Sequence, residues 1–233
     1  DLHSFPTRRS SDLHIARLEF DKEAQRYRFA SILTGDNTDT NYYSPLTQVG
    51  VDVRVGDYLL GVDGQTLSAN DDPYAVLRGK AAQPVELLVS QAGSKGARSV
   101  VVRTLESEAP LLYWNWVARN REQVNKLSNG RIGYLHIPNM GPAGVREFIK
   151  WYYGQIRKDG LIVDVRYNDG GNASRMILDR LTRHHYGTGY IRGVEHPTTY
   201  PWGNYTHVFT GQMALLVNAI WRSEERRVGK ECR

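Results

Sequence analysis

The stretch Gly160 to Gly171 constrains this chain more than any other, because an unbroken branched strand runs straight into an acidic, glycine-ended turn. Leu161, Ile162, Val163 and Val165 form a continuous apolar run bounded by turn residues, a pattern that suits a strand buried on both faces. The turn Tyr167-Asn168-Asp169-Gly170-Gly171 follows at once, and residues 174–184 read as a helix. The glycines therefore lie at a strand-to-helix corner, where backbone N–H groups can point at an anion. Asp169 disfavours a phosphate there, since a carboxylate repels a dianion, whereas a developing oxyanion needs only one or two aimed donors.

The two ends limit how far composition can be read. With suitable codons, Arg222 to Cys232 can be encoded by the reverse complement of a sequence that encodes His3 to Leu13. The shared DNA resembles a sequencing-library adapter, so residues 1–13 and 222–233 are expected to be artefactual tails around a genuine segment, with Trp221 at the junction. Without them the net charge falls from +5 to about +3 and the only cysteine, Cys232, is lost. The basic balance then gives no reason to expect nucleic acid as a partner. A cysteine-free segment excludes disulfides and thiolate chemistry, and no membrane segment is visible. About 207 residues remain, enough for one large or two small domains.

Residues 14–104 read as a small β-rich domain. Residues 15–20 and 27–33 alternate apolar and polar side chains, as half-buried strands do. Ser44-Pro45-Leu46 has the form of a capped helix start. The run Val55 to Gly64 reads as a strand ending in an Asp-Gly turn. A short helix over 73–80, capped by Asp71-Asp72, and strands over 85–89 and 99–103 around a turn at 93–96 complete the domain. The Gly93-Ser94-Lys95-Gly96 run lacks the spacing of a phosphate loop. This segment resembles a PDZ domain of the bacterial, protease-associated kind, through Ser44-Pro45-Leu46 and Val55 to Gly64. That fold commonly captures an extended peptide by strand addition.

Residues 105–129 read as a linker over 106–110 followed by an aromatic helix over 111–127. Trp114 and Trp116, two apart, cannot share one helical face, so one is expected against the preceding domain. Residues 130–221 then alternate strands and helices: a strand over 131–137, a helix over 142–157, the strand from Leu161, the helix from Ser174 and a last strand over 213–218. The alternation argues for a layered α/β domain with a largely parallel sheet. A long irregular excursion over 186–210, dense in Tyr, Gly, Pro and His, precedes the last strand and suggests a functional or partner-facing loop.

Two motifs, Gly130-Arg131-Ile132-Gly133-Tyr134-Leu135-His136-Ile137-Pro138 and the run from Gly160 to Gly171, resemble the catalytic core of tricorn-like serine peptidases. More broadly they are similar to the tail-specific, carboxyl-terminal-processing peptidases. The resemblance covers nearly all of residues 14–220 and implies an α+β / α/β fold class: a PDZ-like domain, then a truncated, layered, crotonase-like catalytic core. It further implies peptide-bond hydrolysis through a serine acyl-enzyme, with peptides or unfolded proteins as substrates, a homo-oligomer as a potential assembly and no cofactor.

On that resemblance Gly171 supplies an oxyanion-hole amide and Gly170 belongs to the same loop as catalytic candidates, with Asn168 and Asp169 expected at the substrate. The family usually has glycine or proline where Asp169 stands. The nucleophile of the family follows the strand matching Leu215-Leu216-Val217-Asn218. Ser223 falls at that offset, but Glu224 and Glu225 replace the expected Asp-Gly, so it is read as coincidence. The family's histidine base precedes the PDZ domain and its orienting acid follows the serine, so this chain alone is expected to be inactive.

Among the other candidates, His14, His136, His184, His185, His196 and His207 show no metal-ligand spacing. His136 is expected in a core or interface, and Asp164 with Arg166 as an ion pair that orders the glycine turn. Two other classes stay open at this stage. One is a non-catalytic PDZ peptide-binding module or pseudo-peptidase. The other is a crotonase-type acyl-CoA enzyme, which shares the glycine turn but lacks a preceding PDZ-like domain.

Overall fold

Period-two alternation in the first half of the chain produces an antiparallel sheet. Strands β1 (Ala16–Asp21), β2 (Arg26–Ile32), β3 (Tyr58–Val62), β5 (Pro84–Ser90) and β6 (Ala97–Arg103) lie side by side in that order, and the short β4 (Gln65–Thr66) pairs with β3. The computed structural model describes residues 15–91, 96–184, 193 and 207–218. Both expected tails, Ser223, residues 92–95 of the expected turn and most of the 186–210 excursion lie outside the described residues.

The register of β5 and β6 sets Val85 opposite Val102 and Leu87 opposite Val100. These side chains share one face with Val89 and join Ile15, Phe29, Leu46, Leu59 and Val62 in a continuous core. Intervening residues such as Glu86 and Val101 face outward, as the pleat requires. The Asp63-Gly64 turn forms as expected: both residues have positive φ, 48° and 78°, the conformation that a two-residue primed hairpin turn needs.

Three local expectations for this domain change. The strand expected from Val55 begins only at Tyr58, because Gly56 adopts φ 97° and buried Asp57 is drawn into a separate cluster. Its carboxylate accepts from the Arg54 N–H at 3.1 Å and from the Arg98 guanidinium at 2.8 Å. Ser44 does not cap a helix; its hydroxyl donates to Leu33 O at 2.5 Å, and a single 3-10 turn, Pro45–Thr47, follows. The helix expected over 73–80 is likewise one 3-10 turn, Ala75–Leu77.

Helix α1 (Ala109–Leu127) starts two residues earlier than the sequence suggested and takes Pro110 into its first turn, where a missing N–H costs nothing. The chain divides into two compact units, Asp1–Trp116 and Val117–Arg233, so the division falls within α1. In the first unit Leu111 joins the core and Tyr113 packs its ring near Tyr42, 5.8 Å between centroids. Trp114 and Trp116 are both half-buried.

In the second unit, β7 (Ile132–His136), β8 (Gly160–Asp164) and β9 (Gln212–Leu216) form a parallel sheet in that order. Helix α2 (Pro142–Tyr152) joins β7 to β8 and gives way to a 3-10 turn, Tyr153–Gln155, short of the expected end at 157. Its Phe148 and Tyr152, one turn apart, stack at 4.8 Å and face Leu135, Leu161 and Val163. Helix α3 (Ser174–Leu181) ends three residues earlier than expected. No helix of the described residues is long and apolar enough to cross a membrane.

Candidate active site

Beyond β8 the backbone makes a turn in which nearly every N–H is committed. Val165 donates to Leu216 O at 2.9 Å, extending the β8–β9 pairing. Arg166 donates to Asp164 Oδ1 at 3.0 Å and Tyr167 to Asn218 Oδ1 at 3.2 Å. Asn168 donates to Val165 O at 3.2 Å and Asp169 to Pro138 O at 3.1 Å. Gly170 donates to Asn168 Oδ1 at 2.8 Å. The N–H of Gly171 donates to no described residue, although it is next in line.

Geometry explains why. Met140, just beyond β7, donates its N–H to Gly170 O at 2.8 Å, accepts from Ala173 N at 2.7 Å and forms a parallel bridge with Gly171. In a parallel bridge of this kind the flanking residues make the bonds, so the bridged residue's own N–H faces the opposite side. Gly171 is exposed. The first turn of α3 follows three residues later and adds the positive end of its dipole to the same corner.

The local chain conformation demands glycine. Tyr167 and Gly170 have φ 62° and 83°, and Gly171 has φ 139°. A Cβ on Gly171 would sit 2.3 Å from Met140 O and 2.5 Å from its carbonyl carbon. Only a residue without a side chain can make that approach.

Of the residues expected at the substrate, Asp169 is exposed at the turn, whereas Asn168 is 1 % exposed. The Asn168 carboxamide is turned inward, donating to Ile137 O at 2.9 Å and accepting from Gly170 N. Gly170 therefore spends its N–H on Asn168 and its carbonyl on Met140.

A buried charge cluster underlies the turn. Asp164 is fully buried and accepts from Arg166 Nη2 at 2.6 Å, from Arg166 Nε at 2.9 Å and from the Tyr134 hydroxyl at 2.6 Å. Asn120 of α1 donates to the Tyr134 hydroxyl at 3.2 Å. Burial opposes the Asp164 charge, but the Arg166 and Tyr134 hydrogen bonds outweigh it and hold the carboxyl below its usual range. Tyr134 is pushed far up by burial and by the Asp164 charge. The Asp164–Arg166 pair was legible in the sequence; Tyr134 and Asn120 were missed, since nothing local links a helix amide to a strand tyrosine.

His136 occupies the core position expected for it, 2 % exposed, with Nε2 at 2.8 Å from Arg166 O. A carbonyl accepts, so Nε2 carries a proton. Burial lowers its pKa below the usual value. The unfolded chain binds this proton as pH falls through about 6.5 while the folded protein resists it. The stabilisation is thus complete above that pH and declines as pH falls toward the folded value. Urea midpoints at about pH 7.5 and 5.5 should show this loss in the native chain and a smaller one in His136→Gln, which keeps an N–H donor; equal slopes would contradict it. Elsewhere His207 meets Tyr153 edge-on at 5.3 Å and His184 is exposed, while His14, His185 and His196 lie outside the described residues.

Residues 15–107 match the tricorn protease PDZ domain and residues 131–227 match peptidase family S41. The chain is 39 % identical over 175 residues to tricorn protease homolog 1 of Streptomyces coelicolor, covering 75 % of this chain and 16 % of that protein. It is also 39 % identical over 177 residues to the tricorn protease homolog of Saccharolobus solfataricus, covering 76 % and 16 % respectively. The crystal structure of the tricorn protease matches with a TM-score of 0.75 and 29 % identity, over 89 % of this chain and 20 % of that one. The chain thus spans about a sixth of the length of these curated relatives. With both segments matched and about 39 % identity to curated relatives over three quarters of its length, the chain belongs to the tricorn proteases of peptidase family S41.

Proposed function

We propose that this chain forms the oxyanion side of a serine peptidase active site, with Gly171 as the backbone donor. The observation that carries the reading is the N–H accounting along the turn: residues 165 to 170 each have an acceptor, whereas the Gly171 N–H has none among the described residues. When a serine hydroxyl attacks a peptide carbonyl, the carbonyl oxygen becomes an anion and gains most from a donor already in place. One such donor is worth about 3 kcal/mol in the transition state. The serine and its base are supplied from outside the described residues. The acyl-enzyme forms as the amine leaves and is then hydrolysed.

Peptides or unfolded proteins are the proposed substrates. Asp169 is the proposed side-chain contact to them, a reading supported by its exposure in the turn. An assembly of several copies is part of the same proposal and rests on kinship with the tricorn proteases alone. The test uses the complete protein that contains this chain. It should hydrolyse fluorogenic peptides and be labelled stoichiometrically by a fluorophosphonate. A protein that binds peptides through its first domain, yet shows neither hydrolysis nor labelling, would overturn the peptidase reading in favour of a binding module.

A further inference from the structure

We infer that Asn168 is a positioning residue for the oxyanion donor, a two-armed clamp rather than a substrate contact. This rests on the reading of Gly171 given above. One arm of the carboxamide donates to Ile137 O, at the end of β7; the other accepts from Gly170 N, two residues ahead. The second arm is an Asx turn, which sets the direction of the chain between Asn168 and Gly170. The first arm ties that turn to the neighbouring strand of the sheet. The Asn168 side chain is 1 % exposed and its bond to Ile137 O is buried, so water does not compete for that arm.

The consequence falls on Gly171. Gly170 is held from both ends, its N–H by Asn168 and its carbonyl by Met140 N at 2.8 Å, so the peptide plane that carries the Gly171 N–H is fixed in orientation. The clamp also removes the Gly170 N–H as a competing donor and leaves a single defined one. Asparagine suits the position because it offers a donor and an acceptor on one short planar group. Aspartate would face Ile137 O with a second acceptor, and alanine would leave both partners unmatched.

Asn168→Ala in the complete protein should lower kcat by about 10²-fold with KM changed less than about threefold, and weaken a peptide aldehyde, whose adduct carries the oxyanion, by a similar factor. Asn168→Ser, whose hydroxyl can still close the turn onto Gly170 N–H, should recover part of that loss. Kinetics are referred to sites titrated with a fluorophosphonate. A lower number of titrated sites with unchanged kcat per site would show a merely structural role and overturn the inference. Amide hydrogen exchange separates this from failure of the peptidase reading: the Gly170 N–H should be protected in the native protein and lose protection in Asn168→Ala, whether or not peptides are cleaved. An unprotected Gly170 N–H in the native protein would overturn the clamp by itself.

Discussion

On the proposed function, Gly171→Ala is expected to lower kcat/KM of the complete protein for peptide hydrolysis by about 10³-fold, most of it in kcat. The loss has two parts that act together. The added Cβ would overlap Met140 O at 2.3 Å, so the backbone must shift, and φ 139° is closed to an alanine without strain. A shift that relieves the overlap carries the N–H away from its aim, and losing one aimed donor alone costs about 10²–10³-fold. Binding of the substrate's remaining length does not depend on this amide, so KM should move little. Steady-state kinetics referred to titrated active sites measure the effect. A variant that keeps native kcat per site would show that Gly171 holds the corner's shape without serving the reaction.

The largest expected effect on stability is at Asp164. Asp164→Ala should destabilise the second unit by about 3 kcal/mol or more, since removing one partner of a buried pair leaves the other charge uncompensated. The Arg166 side chain is 21 % exposed, so partial hydration moderates the penalty toward that lower figure. The Tyr134 hydroxyl loses its acceptor as well, while Asn120 still offers it a donor. Replacing both charges, as in Asp164→Leu with Arg166→Met, should recover much of the loss, because the desolvation cost of the pair disappears along with its attraction. Denaturant midpoints at neutral pH distinguish these cases. Equal destabilisation by the single and double replacements would show that Asp164 acts through packing rather than charge. The lowered pKa of Asp164 adds a second pH window: its contribution is present above about pH 3.9 and fades as pH falls through the folded value, well below the window of His136.

Much of the second unit was legible because its signals are local. The branched run at Leu161 to Val165, the glycines after it and the apolar face of α2 each follow from neighbours within a few residues. The positions of β7, β8 and α3 follow from them, with ends displaced by a few residues where 3-10 turns take over. The first unit was less legible where tertiary bonds override local pattern. Ser44 reads as a helix cap from its proline neighbour, but a carbonyl brought close by the sheet, Leu33 O, claims its hydroxyl. The strand expected from Val55 starts only after Asp57, because Arg98, forty-one residues away, reaches that carboxylate.

At the site itself, location was readable and detailed roles were not. Asn168 looks like an exposed polar turn residue, and its burial goes with a bond to the carbonyl of Ile137, the residue just after β7. The Asn-x-Gly spacing was the available signal, since asparagine commonly bonds the N–H two residues on. Met140, which takes up the Gly170 carbonyl and orients Gly171, has no sequence signature because only its backbone acts.

The most direct test of the account is a crystal structure of the complete protein carrying a covalent peptide aldehyde or boronate adduct. The adduct oxygen that stands for the oxyanion should lie about 2.7–3.1 Å from the Gly171 nitrogen, with the Asn168 carboxamide still bonded to Gly170 N and Ile137 O. An adduct whose oxygen is held by other donors, with Gly171 N–H turned away from it, would contradict the assignment.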